Sequence, residues 1–320
     1  MKKVVVIGGG SGLSTLLRGL RDYPIDITAI VTMTDDGASS GRLRKDMGVL
    51  PPGDIRKCIA ALSENESVLT DLFEYRFKQG LGISGHSMGN LLITAMKEMT
   101  GNFEMAIVEI SRLLDIKGRV LPATLQDVNL AADFDHNKKI VGESKITKYG
   151  YLHKIRKIYL TKKVTTNPRA IAAIDEADVI FVGPGSLYTS IIPNFLQEKL
   201  LKSFEDSDAY KVYCCNVSTE RGETDNFSVE DHLTTIEKYG ISPDAILINS
   251  YEFPMGSGDG YVSPVAEEGS EVKVSRIYSN IANIDNPLYH DSIKLGDAAW
   301  KIIGASAKYK KAGNGAIYQI

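Results

Sequence analysis

The segment Val4-Val5-Val6-Ile7-Gly8-Gly9-Gly10-Ser11-Gly12-Leu13 largely decides the fold of this chain. Its four consecutive apolar residues predict a strand buried on both faces, as in a parallel sheet covered by helices. The glycines that follow open a helix and allow backbone N–H groups to approach a phosphate closely. The segment departs from the G-x-G-x-x-G dinucleotide pattern because Leu13 holds the third glycine position, and it lacks the Gly-Lys-Ser/Thr of a P-loop. It therefore predicts a phosphate-binding turn, with a purely structural turn as the alternative.

Further apolar runs of strand length follow along the chain, separated by segments with helical periodicity. This alternation predicts an α/β fold of the three-layer α/β/α Rossmann-like type, with a mostly parallel sheet. The predicted strands are 3–7, 25–31, 179–183, 210–215 and 245–249. The predicted helices are 13–21, 54–62, 68–77, 90–99, 103–114, 230–239 and 293–303.

One segment, residues 118–162, breaks this pattern because polar and apolar residues alternate in it. The alternation is clearest over 128–134, and Asp135-His136-Asn137 has the composition of a turn. We therefore predict an inserted antiparallel β subdomain within a single Rossmann-like domain that spans 1–306. Residues 307–320 are polar and contain glycine, so we predict a loose carboxyl-terminal tail.

The composition is typical of a globular protein, with 43% hydrophobic and 24% charged residues. The 37 basic and 40 acidic side chains give a net charge of −3, which argues against a nucleic-acid-binding surface. No apolar run approaches the roughly 18 residues of a membrane helix, and we find no signal-peptide pattern. Cys58, Cys214 and Cys215 have the spacing of neither a disulfide framework nor a zinc site. We therefore expect a cytoplasmic protein with no membrane span and no nucleic-acid partner.

A polar segment follows the second predicted strand and reads Thr32-Met-Thr-Asp-Asp-Gly-Ala-Ser-Ser-Gly-Arg-Leu-Arg44. We interpret it as a loop in which Asp35 or Asp36 binds Mg²⁺ or a ribose or sugar hydroxyl, while Arg42 and Arg44 clamp phosphate oxygens. The alternative is a helix cap within a solvated loop. Asp54 is predicted to cap the next helix, and it joins this site only if the fold brings it near Asp35 and Asp36.

The sequence Gly85-His86-Ser87-Met88-Gly89 matches the G-x-S-x-G nucleophile elbow. An elbow requires a buried strand immediately before the serine, whereas residues 77–84 are polar and rich in glycine. We therefore disfavour a serine hydrolase and expect Ser87 or Asn90 to cap the following helix or to contact a ligand. We interpret His290-Asp291 in the same way, as a cap of the last helix.

A second strand–glycine–helix unit begins at Val182-Gly183-Pro184-Gly185-Ser186. Two such units predict two anion-binding ends that face one crevice, which would suit a diphosphate or a nucleotide-sugar. A tight structural turn is again the alternative. A third polar turn, residues 215–225, follows another predicted strand and is expected at the same edge of the sheet.

Several of these motifs together resemble the bacterial gluconeogenesis factor family, which is similar to 2-phospho-L-lactate transferase. They are Ile7-Gly-Gly-Gly-Ser-Gly-Leu, the Thr32 to Arg44 segment, Pro52-Gly-Asp-Ile-Arg, Gly85-His-Ser-Met-Gly-Asn-Leu, Val182-Gly-Pro-Gly-Ser-Leu-Tyr-Thr-Ser and Thr224-Asp-Asn-Phe-Ser. The resemblance covers residues 3 to about 305. It implies a cytoplasmic regulatory protein that binds UDP-sugars, notably UDP-N-acetylglucosamine, and is needed for cell shape and wall-precursor balance during gluconeogenic growth. It also implies glucosamine-6-phosphate synthase as a protein partner, with no cofactor required.

The transferase branch of the resemblance implies a different function, Mg²⁺-dependent transfer of a phospholactyl group from a nucleotide diphosphate donor. Asp35 and Asp36 correspond to its metal-binding aspartates and are the catalytic candidates if this protein is an enzyme. We favour a non-catalytic nucleotide-sugar sensor, and the oligomeric state stays open, with a homo-oligomer as one option. The predicted ligand-binding residues are Gly9, Gly10, Ser11, Gly12, Leu13, Thr32, Asp35, Asp36, Gly37, Ser40, Arg44, Asp54, Asn90, Gly183, Pro184, Gly185, Ser186, Thr189, Asn216, Thr219 and Thr224.

Overall fold

Eight parallel strands form one sheet within the part of the chain that the structure, a computed structural model, describes: residues 1–63, 68–253, 262–268, 274–313 and 315–320. The strands are β1 (Lys2–Gly8), β2 (Ile25–Val31), β3 (Arg119–Pro122), β7 (Val179–Val182), β8 (Tyr210–Cys214), β9 (Ala245–Asn249), β10 (Ser275–Ser279) and β11 (Ile317–Gln319). A separate antiparallel sheet contains β4 (Leu130–Phe134), β5 (Lys139–Val141) and β6 (Ile155–Leu160). The predicted α/β class is confirmed, and the five predicted strands are present with ends that agree within one residue.

Helices pack against both faces of the large sheet. The α-helices of the described residues are α1 (Gly10–Leu20), α2 (Ala38–Met47), α3 (Gly53–Leu62), α4 (Val68–Glu74), α5 (Met88–Thr100), α6 (Phe103–Leu113), α7 (Glu143–Gly150), α8 (Pro168–Asp175), α9 (Ile192–Phe195), α10 (Glu198–Asp206), α11 (Val229–Glu237) and α12 (Ser292–Ala312). One apolar core joins the sheet to α1, α3, α5, α6 and α12, and a second joins it to α8, α10, α11 and the small sheet. In the described ranges, no helix has the length and apolar character needed to cross a membrane.

The first strand lies inside the large sheet, as its continuous apolar sequence predicts. Val4 and Val6 belong to one apolar core, whereas Val5 and Ile7 belong to the other. This alternation arises because successive side chains of a strand point to opposite faces. Burial on both faces therefore accounts for four apolar residues in a row.

The strand order places a topological switch point next to β1. The order across the sheet is β11-β10-β9-β8-β7-β1-β2-β3, so the chain builds outward from β1 in one direction and then, from β7 onward, in the other. In open α/β sheets, ligands bind outside the carboxyl ends of the strands where this reversal occurs. The expected site therefore lies beyond the carboxyl ends of β1 and β7.

The small sheet is the predicted inserted subdomain. Strands β4 and β5 form an antiparallel hairpin that turns at Asp135–Asn137, as expected, and β6 pairs with the other edge of β4. The predicted start at residue 118 needs correction, because β3 pairs in parallel with β2 and belongs to the large sheet. The subdomain also contains a helix, α7, between β5 and β6.

Two local predictions are wrong. The segment after β2, interpreted as a loop, forms helix α2 from Ala38, and the helix carries no apolar stripe because its buried residues are only Ser39, Ser40 and Leu43. The segment 307–320 is not a loose tail. Helix α12 continues to Ala312, and β11 then pairs with β10 at the edge of the sheet.

Helices α1 and α12 cross with their backbones in contact at Gly19 and Gly296. A Cβ on Gly296 would lie 2.2 Å from Gly19 O and 2.7 Å from Gly19 Cα. Backbone atoms cannot rotate away as a side chain can, so a methyl group here must push the two helices apart. Gly304 lies on the same helix and is exposed, with no neighbouring atom within 4 Å of its ideal Cβ position.

We predict that Gly296→Ala lowers the free energy of unfolding by about 1–3 kcal/mol, the usual cost of an overpacked contact. The matched variant Gly304→Ala should raise it by about 0.5–1 kcal/mol, because alanine loses less conformational freedom than glycine in a helix. Urea unfolding followed by circular dichroism measures both values. Equal effects of the two substitutions would show that the helix crossing is not the tight contact described.

Candidate functional site

Two glycine loops meet at the switch point. They follow β1 and β7, which are adjacent parallel strands. A Cβ on Gly12 would lie 2.5 Å from Pro184 O and 2.8 Å from Gly185 Cα. Only glycine permits this approach, so the first turn of α1 lies directly against the second loop. The two strand–glycine–helix units predicted from the sequence therefore face one region.

A cleft of about 700 Å³ opens beside the two loops, and we call it the switch-point cleft. Its wall combines the first turn of α1 with polar residues that follow β2, β7 and β8 and with one residue of α7. The lining residues are Gly10, Ser11, Gly12, Thr15, Asp35, Asp54, Lys57, Glu143, Gly185, Ser186, Ser190, Asn216, Val217, Ser218, Thr219, Glu220, Arg221, Val262, Asn286, Leu288, Tyr289 and His290.

The amino terminus of α1 offers backbone N–H groups to this cleft. Gly9 precedes the helix in an extended conformation, and no side chain among the described residues caps the helix. The first turn also contains no acidic residue. A helix start leaves N–H groups without intrahelical partners and carries partial positive charge, which together favour an anion.

The second loop differs from the first, because protein side chains already satisfy its donors. Tyr188 N and Thr189 N donate to Glu223 Oε2 at 2.9 and 3.2 Å, and Thr189 Oγ1 donates to Glu223 Oε1 at 2.6 Å. Ser186 Oγ donates to Glu220 Oε1 at 2.7 Å. The two loops are therefore not the equivalent anion-binding ends that the sequence suggested. The carboxyl group of Glu223 holds the second loop, so of the two strand–glycine–helix units only the first presents an uncapped helix terminus.

Three carboxyl groups, those of Asp35, Asp54 and Glu143, line the same part of the cleft. Burial raises the pKa of Asp35, and the nearby charge of Asp54 raises it further. Burial also raises the pKa of Glu143 well above its usual range, with Asp35 and Asp54 adding to the effect. The ammonium group of Lys57 lies 3.0 Å from Asp54 Oδ1 and offsets part of this negative charge.

The adjacent residues Asp35 and Asp36 face different surroundings. Asp35 Oδ1 accepts a hydrogen bond from Gly37 N at 2.8 Å, and its side chain borders the cleft. Asp36 Oδ1 instead accepts hydrogen bonds from Ser144 N at 2.9 Å and Ser144 Oγ at 2.6 Å, both on α7. Asp36 therefore holds the inserted subdomain and does not line the cleft.

The predicted metal pair of Asp35 and Asp36 does not fit one ion, because the two side chains are directed to different places. Within the described ranges, no three His, Cys, Asp or Glu side chains converge as a metal site. Asp35 and Asp54 are the two aspartates that line the cleft. Mg²⁺ is commonly bound through one or two carboxylates, with substrate phosphates and water supplying the other ligands. The donor pair that suits Mg²⁺ is thus Asp35 with Asp54.

Asp54 also differs from its predicted role as a helix cap. Helix α3 begins at Gly53 after Pro52, and Asp54 lies in its first turn with its carboxylate bonded to Lys57. The proximity to Asp35 that the sequence could not establish is present in the structure, since both side chains line the switch-point cleft.

The predicted ligand-binding residues divide into two groups. Those that line the cleft are Gly10, Ser11, Gly12, Asp35, Asp54, Gly185, Ser186, Asn216 and Thr219. Those that lie outside its lining are Gly9, Leu13, Thr32, Asp36, Gly37, Ser40, Arg44, Asn90, Gly183, Pro184, Thr189 and Thr224. Many of the second group support the site. Arg44, for example, donates to Val128 O at 3.1 Å and to Asn129 Oδ1 at 3.0 Å, which ties the inserted subdomain to α2.

Several residues that line the cleft carry little or no signal in the sequence. Lys57 follows Asp54 by three residues on α3, a helical spacing that could have indicated it. Glu143 comes from the inserted subdomain, and nothing in its local sequence connects it to the cleft. His290 was interpreted as part of a helix cap, but Asp291 alone caps α12. The ring nitrogens of His290 have no partner among the described residues, and burial lowers its pKa to about 4.

The G-x-S-x-G sequence does not form a nucleophile elbow. Ser87 is fully buried and caps α5 by accepting a hydrogen bond from Asn90 N at 3.3 Å. His86, the adjacent imidazole, lies 2.8 Å from Ser39 Oγ through Nδ1 and is not directed at Ser87. The preceding residues form turns and a single bridge between Arg76 and Ser87. The expectation of a capping serine is confirmed.

Comparisons with known proteins agree with the motifs. A family model described as 2-phospho-L-lactate transferase CofD matches residues 4–285. The gluconeogenesis factor of Halalkalibacterium halodurans is 50% identical over 236 residues, which are 73% of each chain. A relative from Nostoc is 54% identical over 236 residues, 73% of this chain but only 51% of that protein.

A solved structure shows the same fold. The crystal structure of a Bacillus halodurans protein superposes with a TM-score of 0.89 at 42% sequence identity, covering 93% of this chain and 99% of that one. The family match, the identity of the relatives and this superposition agree with the resemblance inferred from the sequence. The chain therefore belongs to the 2-phospho-L-lactate transferase CofD family, in which close relatives bear the name gluconeogenesis factor.

Proposed function

We propose that this protein binds a nucleotide-sugar in the switch-point cleft and acts as a regulator rather than as an enzyme. The observation that carries the proposal is the uncapped amino terminus of α1 at the wall of a 700 Å³ cleft. Its N–H groups would bind the diphosphate. The cleft volume falls in the range typical of small-molecule sites. The specific choice of a UDP-sugar, UDP-N-acetylglucosamine above all, is supported by the family resemblance.

The remainder of the cleft has groups suited to a sugar and a base. Tyr289 is 67% exposed and offers a ring face on which a base can stack. His290 is neutral near pH 7, so its ring can donate one hydrogen bond and accept another. Asn286 adds an amide with both functions. These three residues lie in one short segment that leads into α12.

The acidic part of the cleft favours a cation together with the diphosphate. Asp35, Asp54 and Glu143 would repel a diphosphate, and Lys57 offsets only part of their charge. We propose that Asp35 and Asp54 hold Mg²⁺, which would neutralise charge between the protein and the phosphates. Asp36 takes no part in this because it is bonded to Ser144.

The proposed regulatory role is supported by the family resemblance. In this view the ligand-bound protein acts in the cytoplasm on glucosamine-6-phosphate synthase. It thereby adjusts wall-precursor supply and cell shape during growth on gluconeogenic carbon.

A second candidate is an Mg²⁺-dependent transferase of the phospholactyl type. It is favoured by the family model, whose description names a transferase, and by the Asp54–Lys57 pair within the cleft. In this case Lys57 would stabilise negative charge that develops on the phosphates. Asp35 and Asp54 would hold the metal ion. The two candidates differ in whether the bound nucleotide is consumed.

The first test is calorimetric titration with UDP-N-acetylglucosamine, UDP-glucose and GDP, each with and without Mg²⁺. Chromatography of the mixture afterwards shows whether the ligand is intact. We expect a UDP-sugar to bind and to be recovered unchanged. Metal-dependent loss of the ligand would favour the transferase, and failure of all three nucleotides to bind would reject both candidates.

A matched pair of variants tests the role of α1 in this binding. Ser11→Asp adds a carboxylate to the first turn, where it complements the helix dipole but repels a diphosphate. We expect an affinity loss of at least about tenfold, equivalent to about 1.4 kcal/mol, without a loss of stability. Ser11→Asn has a similar size and no charge, so its loss should be much smaller. Equal losses in the two variants would contradict an anion at this helix terminus.

A second pair of variants separates the two adjacent aspartates. Asp35→Asn should abolish the effect of Mg²⁺ on nucleotide-sugar binding, because one of two carboxylate ligands becomes a neutral amide. Asp36→Asn should keep this effect, since its partner is Ser144 and not the cleft. Titrations at several Mg²⁺ concentrations measure both. A loss of Mg²⁺ dependence in Asp36→Asn alone would reverse our assignment of the two residues.

A further inference from the structure

We propose that a second, smaller pocket beside the switch-point cleft binds the phosphoryl group of a small phosphate monoester. We call it the basic pocket. Its volume is about 190 Å³, enough for a phosphate and a few carbon atoms. It is lined by Asp35, Gly37, Ala38, Ser39, Ser40, Gly53, Arg56, Lys57, Arg76 and Asn90.

The first turn of α2 forms one wall of the basic pocket. Gly37 precedes this ten-residue helix, and no side chain in the described part of the chain caps its amino terminus. Ala38, Ser39 and Ser40 all line the pocket. Their N–H groups lie at the positive end of the helix dipole, where they favour an anion.

A buried arginine supplies the second and independent observation. Arg56 is only 7% exposed and lines the pocket, and its Nε has no hydrogen-bond partner among the described residues. The nearest carboxylate in an ion pair with it is that of Glu74, at 3.8 Å and itself largely exposed. A buried guanidinium is costly unless its N–H groups are bonded, and its planar fork matches phosphate oxygens.

The position of Arg56 is fixed by close packing. A Cβ on Gly89 would lie 2.8 Å from Arg56 Cγ and 2.9 Å from its Cδ, so glycine at the start of α5 makes room for the arginine stem. The same Cβ would lie 2.6 Å from Phe73 O, which leaves α5 little freedom to move. The charged group is therefore held at the pocket by its surroundings.

The remaining polar groups of the pocket define the ligand class. Lys57 is paired with Asp54 at 3.0 Å, which leaves Arg56 and Arg76 against the single lining carboxylate of Asp35, a balance that favours an anion. Asn90 is buried and donates to Ser39 Oγ at 3.0 Å, while its Oδ1 has no partner in the described residues. An unbonded buried acceptor next to these cations suits a hydroxyl group of the same ligand. The pocket thus favours a hydroxylated phosphate monoester.

The basic pocket is separate from the nucleotide-sugar site but adjoins it. Asp35 and Lys57 line both, so a ligand in one changes the charge that a ligand in the other meets. By linkage, any effect of the first ligand on the second must be matched by an equal effect in return. The site would therefore let a small phosphorylated metabolite adjust the binding of the larger ligand.

The test uses the full chain without any nucleotide, so its result does not depend on the proposed function. Inorganic phosphate, glycerol 3-phosphate and lactate are titrated by calorimetry. We expect both phosphates to bind with 1:1 stoichiometry, the ester more tightly, and lactate to bind at least about tenfold more weakly. Binding of lactate alone, or of none of the three, would overturn the proposal.

Variants then locate the binding. Arg56→Met removes the charge and keeps much of the side-chain volume, and Arg76→Gln changes an exposed residue that should not affect folding. Each should weaken glycerol 3-phosphate binding at least about fivefold, whereas Arg112→Gln, an equal charge change on the exposed face of α6, should not. If Arg56→Met fails to fold, Arg76→Gln decides alone. If a folded variant binds glycerol 3-phosphate with unchanged affinity, the phosphate lies elsewhere. The same conclusion would follow if Ser11→Asp weakened this binding and Arg76→Gln did not.

Discussion

The contact between the two glycine loops is the constraint on which the rest of this structure depends. The loops meet backbone to backbone, because a Cβ on Gly12 would overlap Pro184 O. This contact fixes the amino terminus of α1 against the end of β7 at the place where the strand order reverses. The switch-point cleft opens beside it, so the position of the site depends on this one short segment. No larger side chain at residue 12 would preserve this arrangement.

Buried carboxylates have two different roles around this contact. Glu223 accepts hydrogen bonds from two backbone N–H groups and from the hydroxyls of Thr189 and Thr147. It thus serves the second loop as an internal hydrogen-bond acceptor, and burial and the charge of Glu220 raise its pKa to about 8. Asp35 and Glu143 have fewer donors, and burial raises the pKa of both, with the charge of Asp54 adding to the rise at each. The second loop is therefore complete in itself, whereas the region next to α1 concentrates negative charge that a cation would stabilise.

Much of the fold was predictable because β1 and its neighbours are buried on both faces and so have continuous apolar sequences. Helix α2 was not predictable, since its buried residues include two serines and only one leucine, which gives no apolar stripe. Strand β11 was not predictable either, because it depends on tertiary packing. One such contact joins Tyr318 and Tyr309, whose ring centroids are 4.0 Å apart. In the site, the position of Asp35 directly after a strand predicts its place at the cleft. No local pattern predicts the places of Glu143 and Arg56, because distant segments determine the burial and direction of these side chains.

The inserted subdomain is part of the site's construction and not an appendage to it. Asp36 bonds Ser144 at the start of α7, and Arg44 bonds the segment that leads into β4. Thr147, one turn further along α7, bonds Glu223 of the third polar turn. These bonds place Glu143, the first residue of α7, at the cleft with Asp35. Asp36 and Arg44 therefore belong to the site although neither lines it, because they hold the segment that supplies Glu143.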